Sequence, residues 1–350
     1  MHGMNTLNFD HAAVLAHWGL ESSRVTPLGK GLINQTWRAE TDRELFVLQQ
    51  VNPMFPPEVN QDIDVVTRHV EEQGLLTCRL MPTLNGSLWA TIGKQTWRLL
   101  TWIDGISHDA LTEPLQAHSA GGLLARFHHA LADFQHAFTT PRLGIHDTAR
   151  HLAFLRETLS LQSGHPQYRN IAPLAARILE AADNLPAYPE TADRIVHGDP
   201  KINNIMFDAQ TDVALSLVDL DTLAYMPLPL ELGDAMRSWC NPAGEDAQIS
   251  EFSSELFADA VQGYAEDARD WITKDEMVSI VPATQRILVE LASRFCADAM
   301  NESYFGWRPD LFASRSEHNQ VRAASQLTVA ESLVAQRSVL DQVVTSAFGA

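Results

Sequence analysis

The segment RIVHGDPKINNIMFDAQTDVALSLVDLDTL, residues 194–223, holds the residue types that could do chemistry at closest spacing. An apolar approach leads into HGDPKINN, and a short apolar run, a polar turn and a second apolar run end on Asp219. Phosphoryl transfer needs one carboxylate to orient and deprotonate an acceptor hydroxyl. It also needs an amide and a second carboxylate to hold Mg²⁺ on nucleotide phosphates. Asp199 fits the base, while Asn204 and Asp219 fit the metal ligands. Lys201, two positions after the base, could offset charge developing on the transferred phosphate. His197 is read as a support packed under the loop and bonded to its backbone, in preference to a general base. Asp221 has two open readings: a further metal ligand, or a carboxylate accepting backbone N–H bonds.

The elements around this segment fall into two regions. Arg24 to Leu28, Gln35 to Glu40 and Glu44 to Val51 alternate as strands, with a glycine loop between the first two. A helix from Glu58 to Gln73 follows, then a hairpin about Asn85-Gly86 joining Leu80–Leu84 to Ser87–Ile92, and a last strand from Gln95 to Trp102. Asp10 starts a short helix before the strands. After residue 105 the pattern becomes helical: 115–138, 174–184, 251–267, 274–305 and 322–348, with short strands at 194–196, 205–208 and 213–220. This is an α+β architecture. A small antiparallel β-rich lobe spans 1–104, a hinge lies at about 99–105, and a larger, mainly helical lobe spans 105–350. His128 and His129, within a helical run, read as packing or surface residues.

A chain of 350 residues with 45% hydrophobic and 20% charged residues is long enough for two lobes and ordinary for a folded protein. Its net charge of −19 disfavours nucleic acid and anionic membrane surfaces as partners. Three widely spaced cysteines and the lack of an apolar leader or span lead us to expect a cytoplasmic protein. Oligomeric state is not legible.

HGDPKINN resembles the catalytic loop of the aminoglycoside phosphotransferase and choline kinase superfamily. VDLD at 218–221 is similar to that superfamily's metal-binding strand, and Glu231-Leu232-Gly233-Asp234 to the acidic helix start beyond it. The resemblance implies a bilobal protein-kinase-like fold, ATP and Mg²⁺ as cofactors, and Asp234 as a brace of the catalytic loop. GLINQTW (31–37), FVLQQVNPMFP (46–56), SRFCADAMNESYFGW (293–307) and SEHNQVRAASQL (316–327) resemble the N-acetylhexosamine 1-kinases in particular.

Gly29, Gly31 and Asn34 would then close a loop over the phosphates, the alternative being an ordinary hairpin turn. Leu100 and Trp102 would stand where a kinase hinge meets adenine. One departure matters: the third-strand lysine of kinases is replaced by Gln49. Either Gln49 or Gln50 contacts the nucleotide through its amide, or Lys30 supplies the charge. Acceptor recognition falls to Arg294, Asp298, Tyr304 and Asn319, with His318 and Arg322 nearby; an Arg294–Asp298 surface ion pair is the competing reading. The expected activity is transfer from ATP to the anomeric hydroxyl of an N-acetylhexosamine or related hexose. The alternatives are transfer to an aminoglycoside, choline-like or amino-alcohol acceptor, and a nucleotide-binding pseudokinase.

Overall fold

The computed structural model describes residues 10–29, 33–141 and 144–349. Lys30 and Gly31 lie outside the described residues. The chain divides into two compact units. The first comprises the described residues up to Glu72 together with Thr77–Ile103 and Ala137–Thr140, and the second comprises the remainder.

In the first unit, α1 (His11–Leu15) is capped by Asp10, whose carboxylate accepts the N–H groups of Ala12 and Ala13. Strands β1 (Arg24–Pro27), β2 (Gln35–Glu40), β3 (Leu45–Val51), β4 (Ala90–Ile92) and β5 (Gln95–Thr101) form one antiparallel sheet in the order β1-β2-β3-β5-β4. Alternation assigns the two faces. Ala39, Phe46, Leu48, Trp97 and Leu99 point into a core closed by Val14, Leu15 and Trp18. The opposite face carries Thr36, Gln49 and Arg98, cross-strand neighbours in register. Helix α2 (Val59–Glu72) follows β3. The hairpin expected around Asn85-Gly86 is a tight turn, closed by Thr83 and Ser87, without paired strands. The hairpin here is β4–β5, because Gly93 at φ 63° supplies the left-handed residue its turn requires.

The second unit contains α3 (Pro114–Ala130), α4 (Thr148–Leu161), α5 (Tyr168–Asp183), β6 (Asp193–Val196), β7 (Ile205–Phe207), β8 (Ala214–Leu217), β9 (Ala224–Pro227), α6 (Leu228–Trp239), α7 (Ser254–Ala268), α8 (Lys274–Val278), α9 (Ile280–Asn301), α10 (Arg315–Ala335) and α11 (Arg337–Phe348). β6 pairs with β9, and β7 with β8. α9 is buried on nearly all sides among α4, α5, α6 and α10. Helices α3 and α7 cross at glycines. A Cβ on Gly263 would collide with the His118 carbonyl, and one on Gly121 with that of Ala260, so the two backbones touch.

Several helix limits differ from expectation. Helix α3 ends at Ala130, α5 begins before Pro173, and the run 274–305 breaks at Ser279 into α8 and α9. The break follows a capping box in which Thr273 and Glu276 satisfy each other's backbone N–H groups. Among the described residues no helix is long and apolar enough to cross a membrane.

Candidate active site

The loop 197–204 leaves β6 and is splinted along α6. Glu231, in the first turn of that helix, accepts the backbone N–H groups of His197 and Gly198, both at 3.0 Å. Ser238 Oγ accepts the Ile202 N–H at 3.0 Å, and Trp239 Nε1 donates to the Pro200 carbonyl at 2.9 Å. Positions 231 and 238 are two turns apart, so one helix face holds both ends of the loop. The family resemblance implies that Asp234 is the brace. Here Glu231 receives the loop backbone, and Asp234 pairs with Arg237 at 2.8 Å. The two carboxylates are three residues apart on a helix, and only helix rotation decides which one meets the loop.

His197 is fully buried. Its Nε2 lies 2.9 Å from the Val218 carbonyl, and its Nδ1 accepts the Asp199 N–H at 3.3 Å. One acceptor and one donor assign a proton to Nε2 and a lone pair to Nδ1, so the ring works as a strut between the loop 197–204 and the segment that follows β8. Gly198 has φ 82°, and a Cβ there would run into the Thr222 carbonyl, so the loop passes directly over the segment after Asp219.

Asp199 Oδ2 lies 2.5 Å from Lys201 Nζ. The Asn204 side-chain amide donates to the Asp199 carbonyl at 2.8 Å and to its carboxylate at 3.2 Å. Burial by itself would raise the Asp199 pKa; the ammonium of Lys201 and the guanidinium of Arg237 outweigh it and hold the carboxyl below its ordinary range. Lys201 is raised in turn, because the charges of Asp199 and Asp219 overcome its desolvation. Asp219 is therefore near enough to Lys201 to be felt. It follows β8 in a left-handed conformation, φ 65° and ψ 56°, which a non-glycine residue adopts only under local constraint. Asp221 is buried in the following turn. With the Asn204 N–H₂ directed at Asp199, its amide oxygen is left as a hard oxygen donor, of the kind that suits Mg²⁺.

In the first unit, Gly29 has φ 72°. Asn34 accepts the Asn52 N–H at 2.9 Å, and Asn52 donates to the Ile33 carbonyl at 3.1 Å, tying the described end of the glycine loop to the end of β3. Gln49 donates to Thr36 Oγ1 at 3.2 Å and accepts from Arg98 Nε at 2.8 Å. Leu100 is buried, and Trp102 lies beneath the Arg38 guanidinium at 5.8 Å.

The residues expected to meet the acceptor divide into two kinds. Asp298 is buried. It accepts the N–H groups of Ser303, Tyr304 and Phe305 and the side-chain amide of Asn319, each at 2.9 Å. These two residues thus organise the segment after α9, where Glu302 at φ 50° turns three successive N–H groups toward one carboxylate. The Arg294–Asp298 ion pair is not formed; Arg294 instead faces Glu290 at 3.9 Å and covers the rings of Tyr304 and Phe305 at 5.8 and 5.7 Å. Tyr304 remains 60% exposed. Arg322 bonds Asp246 at 2.7 Å and the Gly306 carbonyl at 2.8 Å, and His318 meets Asp246 at 2.8 Å. His128 contacts Tyr264 Oη at 2.9 Å inside the helical core, as a packing histidine should.

A buried cluster adjoins these residues. Glu290 receives His146 Nδ1 at 2.9 Å and Thr148 Oγ1 at 2.7 Å, with His151 Nε2 and Arg294 each at 3.9 Å. Burial would lower the His146 pKa from its ordinary 6.5, but the hydrogen bond to Glu290 and the charges of Asp234 and Glu290 raise it. His151 moves the other way, through burial and the nearby Arg294 and Arg150. A raised histidine stabilises the fold fully below its unfolded pKa, and that contribution is lost as pH climbs through the native value. Melting curves of the wild type and His146→Gln from pH 5 to 9 should therefore show a gap of several degrees at the acid end that closes above neutrality. A gap constant across that window would contradict a charged His146.

The family model described as phosphotransferase enzyme family matches residues 24–271. Among solved structures, an aminoglycoside phosphotransferase from Alicyclobacillus acidocaldarius is similar at a TM-score of 0.61 and 16% identity, over 94% of this chain and 96% of that one. A microcompartment-associated aminopropanol kinase gives 0.63 and 13%, over 93% and 97%. A choline kinase from Cryptosporidium parvum gives 0.59 and 13%, over 95% and 96%. These likenesses show the fold, which is the protein-kinase-like one with an antiparallel sheet followed by a helical region. With the family match extending from β1 through the loop that carries Asp199, Lys201 and Asn204 to beyond α7, this chain belongs to the phosphotransferase enzyme family.

Proposed function

We propose that this phosphotransferase is an ATP- and Mg²⁺-dependent kinase of small molecules, and that its acceptor is the anomeric hydroxyl of an N-acetylhexosamine or a related hexose. The observation that carries the kinase reading is the Asp199–Lys201–Asn204 cluster, with the charge of Asp219 beside it. Asp199 orients the acceptor hydroxyl and takes its proton. Lys201 stabilises charge on the group in transit, and Asn204 and Asp219, with Asp221 as a further candidate, hold Mg²⁺. When bound, Mg²⁺ supplies charge neutralisation of the nucleotide phosphates.

The hexose reading draws on the resemblance of four segments to sugar 1-kinases and on the surroundings of α9. A quaternary ammonium acceptor needs open aromatic faces. Here Tyr304 and Phe305 lie under Arg294, Phe295 lies under Arg322, and Trp239 is buried against the catalytic loop. A neutral polyol suits guanidinium donors beside an exposed ring better than a cation does, with Arg294 and Tyr304 as the recognition pair. The second reading is a cationic hydroxyl acceptor such as the aminopropanol, choline or aminoglycoside named for the structural relatives; against it, Glu245 and Asp246, the acids in the segment after α6, are already paired with Arg237 and with Arg322 and His318.

ADP release measured with a panel of hexoses, aminoglycosides, choline and amino alcohols separates the two, and ³¹P NMR locates the new phosphate. The first reading expects turnover with an N-acetylhexosamine and an anomeric phosphate. Turnover confined to cationic acceptors, or phosphate at another hydroxyl, would overturn it. ATP binding without ADP release from any acceptor would leave only a pseudokinase.

A further inference from the structure

Arg294, one half of the acceptor-recognition pair proposed above, has a carboxylate beside it that another side chain holds more closely. Glu290 lies one turn earlier on α9, and a single oxygen, Oε1, is 2.9 Å from His146 Nδ1 and 3.9 Å from Arg294 Nη1. The first distance is a hydrogen bond and the second is not. We propose that His146 and Glu290 form a specificity element: the imidazolium neutralises the carboxylate, so that Arg294 keeps most of its charge toward the acceptor, favouring neutral hydroxyl- and carbonyl-bearing molecules and repelling cationic ones. This rests on the hexose reading above.

Three observations support the assignment. The cluster is fixed by the fold: the side chains of Glu290 and His146 are 1% and 6% exposed, and Thr148 Oγ1 donates to the second Glu290 oxygen at 2.7 Å. The acids of the neighbouring segments are committed elsewhere, Asp298 to three backbone N–H groups and Asn319, Asp246 to Arg322 and His318. Arg294 itself meets no hydrogen-bond acceptor among the described residues; its guanidinium lies over the rings of Tyr304 and Phe305, and its N–H donors are left for a ligand's oxygens. Asp234 of α6 and Glu290 favour the charged form of His146, while Arg294 opposes it. His151, beside Arg150 on α4, and Tyr188, beside Arg286 in the segment after α5, complete the surroundings of Glu290. His151 titrates below the ordinary 6.5 and Tyr188 above the ordinary 10, so His146 is the member of this cluster that changes charge between them. Loss of its proton leaves Glu290 uncompensated, and the attraction of that carboxylate for Arg294 then draws the guanidinium off the rings and cancels its charge.

Initial rates with N-acetylglucosamine as acceptor, measured from about pH 6 to pH 9 across the histidine range, test this. In the wild type the acceptor KM should rise about three- to fivefold as His146 loses its proton, the size of one partly exposed charge interaction, with the KM for ATP unmoved. His146→Gln should hold the weak acceptor KM at every pH. Glu290→Gln removes the carboxylate that competes for Arg294 and should hold the tight one. Opposite shifts from the two members of one hydrogen-bonded pair are not what lost packing produces, since that would weaken the acceptor in both. A flat acceptor KM in the wild type, a His146→Gln profile that still follows pH, or shifts of the same sign in the two variants would overturn the proposal. Should neither variant fold, the wild-type profile decides alone. Turnover of choline or an aminoglycoside with none of N-acetylglucosamine would instead refute the hexose reading, a failure told apart by which acceptor is consumed.

Discussion

Asp199→Asn is expected to lower turnover by about 10²–10⁴-fold while leaving the melting temperature and nucleotide affinity close to wild type. The substitution keeps the side-chain shape, and the amide oxygen can still accept from Lys201 or Asn204, the two donors at 2.5 and 3.2 Å. It removes the charge that, under the proposed function, orients and deprotonates the acceptor hydroxyl. The depressed pKa refines the role. A carboxylate held ionised by Lys201 and Arg237 is a weak base, so under the proposed function it would contribute chiefly by holding the hydroxyl in line and would accept the proton late. The rate should accordingly stay flat on the acid side of neutrality, down to pH values below the ordinary carboxylate range. Single-turnover measurement with saturating ATP and acceptor isolates this step. A loss smaller than threefold would exclude Asp199 from the mechanism.

The largest stability effect should come from Glu231→Gln. The Glu231 side chain is fully buried and accepts two backbone N–H groups at once. A glutamine of the same shape offers one oxygen, and its N–H₂ then faces a donor. One buried N–H loses its partner, and among the described residues the one polar side chain facing the new N–H₂ is His128, whose Nε2 is 3.6 Å away, so the change costs about 1–3 kcal/mol. Differential scanning calorimetry should show a melting temperature lower by about 4–10 °C. Since the displaced groups belong to His197 and Gly198, immediately before Asp199, turnover should fall by tenfold or more in the protein that remains folded. Asp234→Asn provides the contrast, for it breaks the pair with Arg237 and leaves the loop backbone held. Equal effects of the two variants on turnover would show that Glu231 is not the specific brace.

The strands β2 and β3 and the helix α2 were legible because their apolar residues repeat with the period of the element that buries one face. The loop 197–204 stands out as a candidate site because its residues are contiguous. Local spacing carries no information about partners brought together by register. Arg98 lies 49 positions from Gln49, and nothing in QTWRLL singles out its arginine until β3 and β5 are paired. Glu231 was overlooked in favour of Asp234 for a similar reason. Helix α4 escaped notice because the charged and polar residues of TARHLAFLRETLSL interrupt its stripe, leaving only four positions buried: Thr148, Leu152, Leu155 and Thr158. Asp298 carried a readable carboxylate, but that it would be spent on three backbone N–H groups follows from the left-handed Glu302, which composition does not reveal.

Asp219 is a position where architecture and chemistry ask for different amino acids. Its left-handed backbone costs an L-residue with a Cβ about 1–2 kcal/mol that glycine would be spared, whereas the proposed metal site needs its carboxylate. A population of variants screened for heat resistance alone would drift away from aspartate there, and one screened for turnover would restore it.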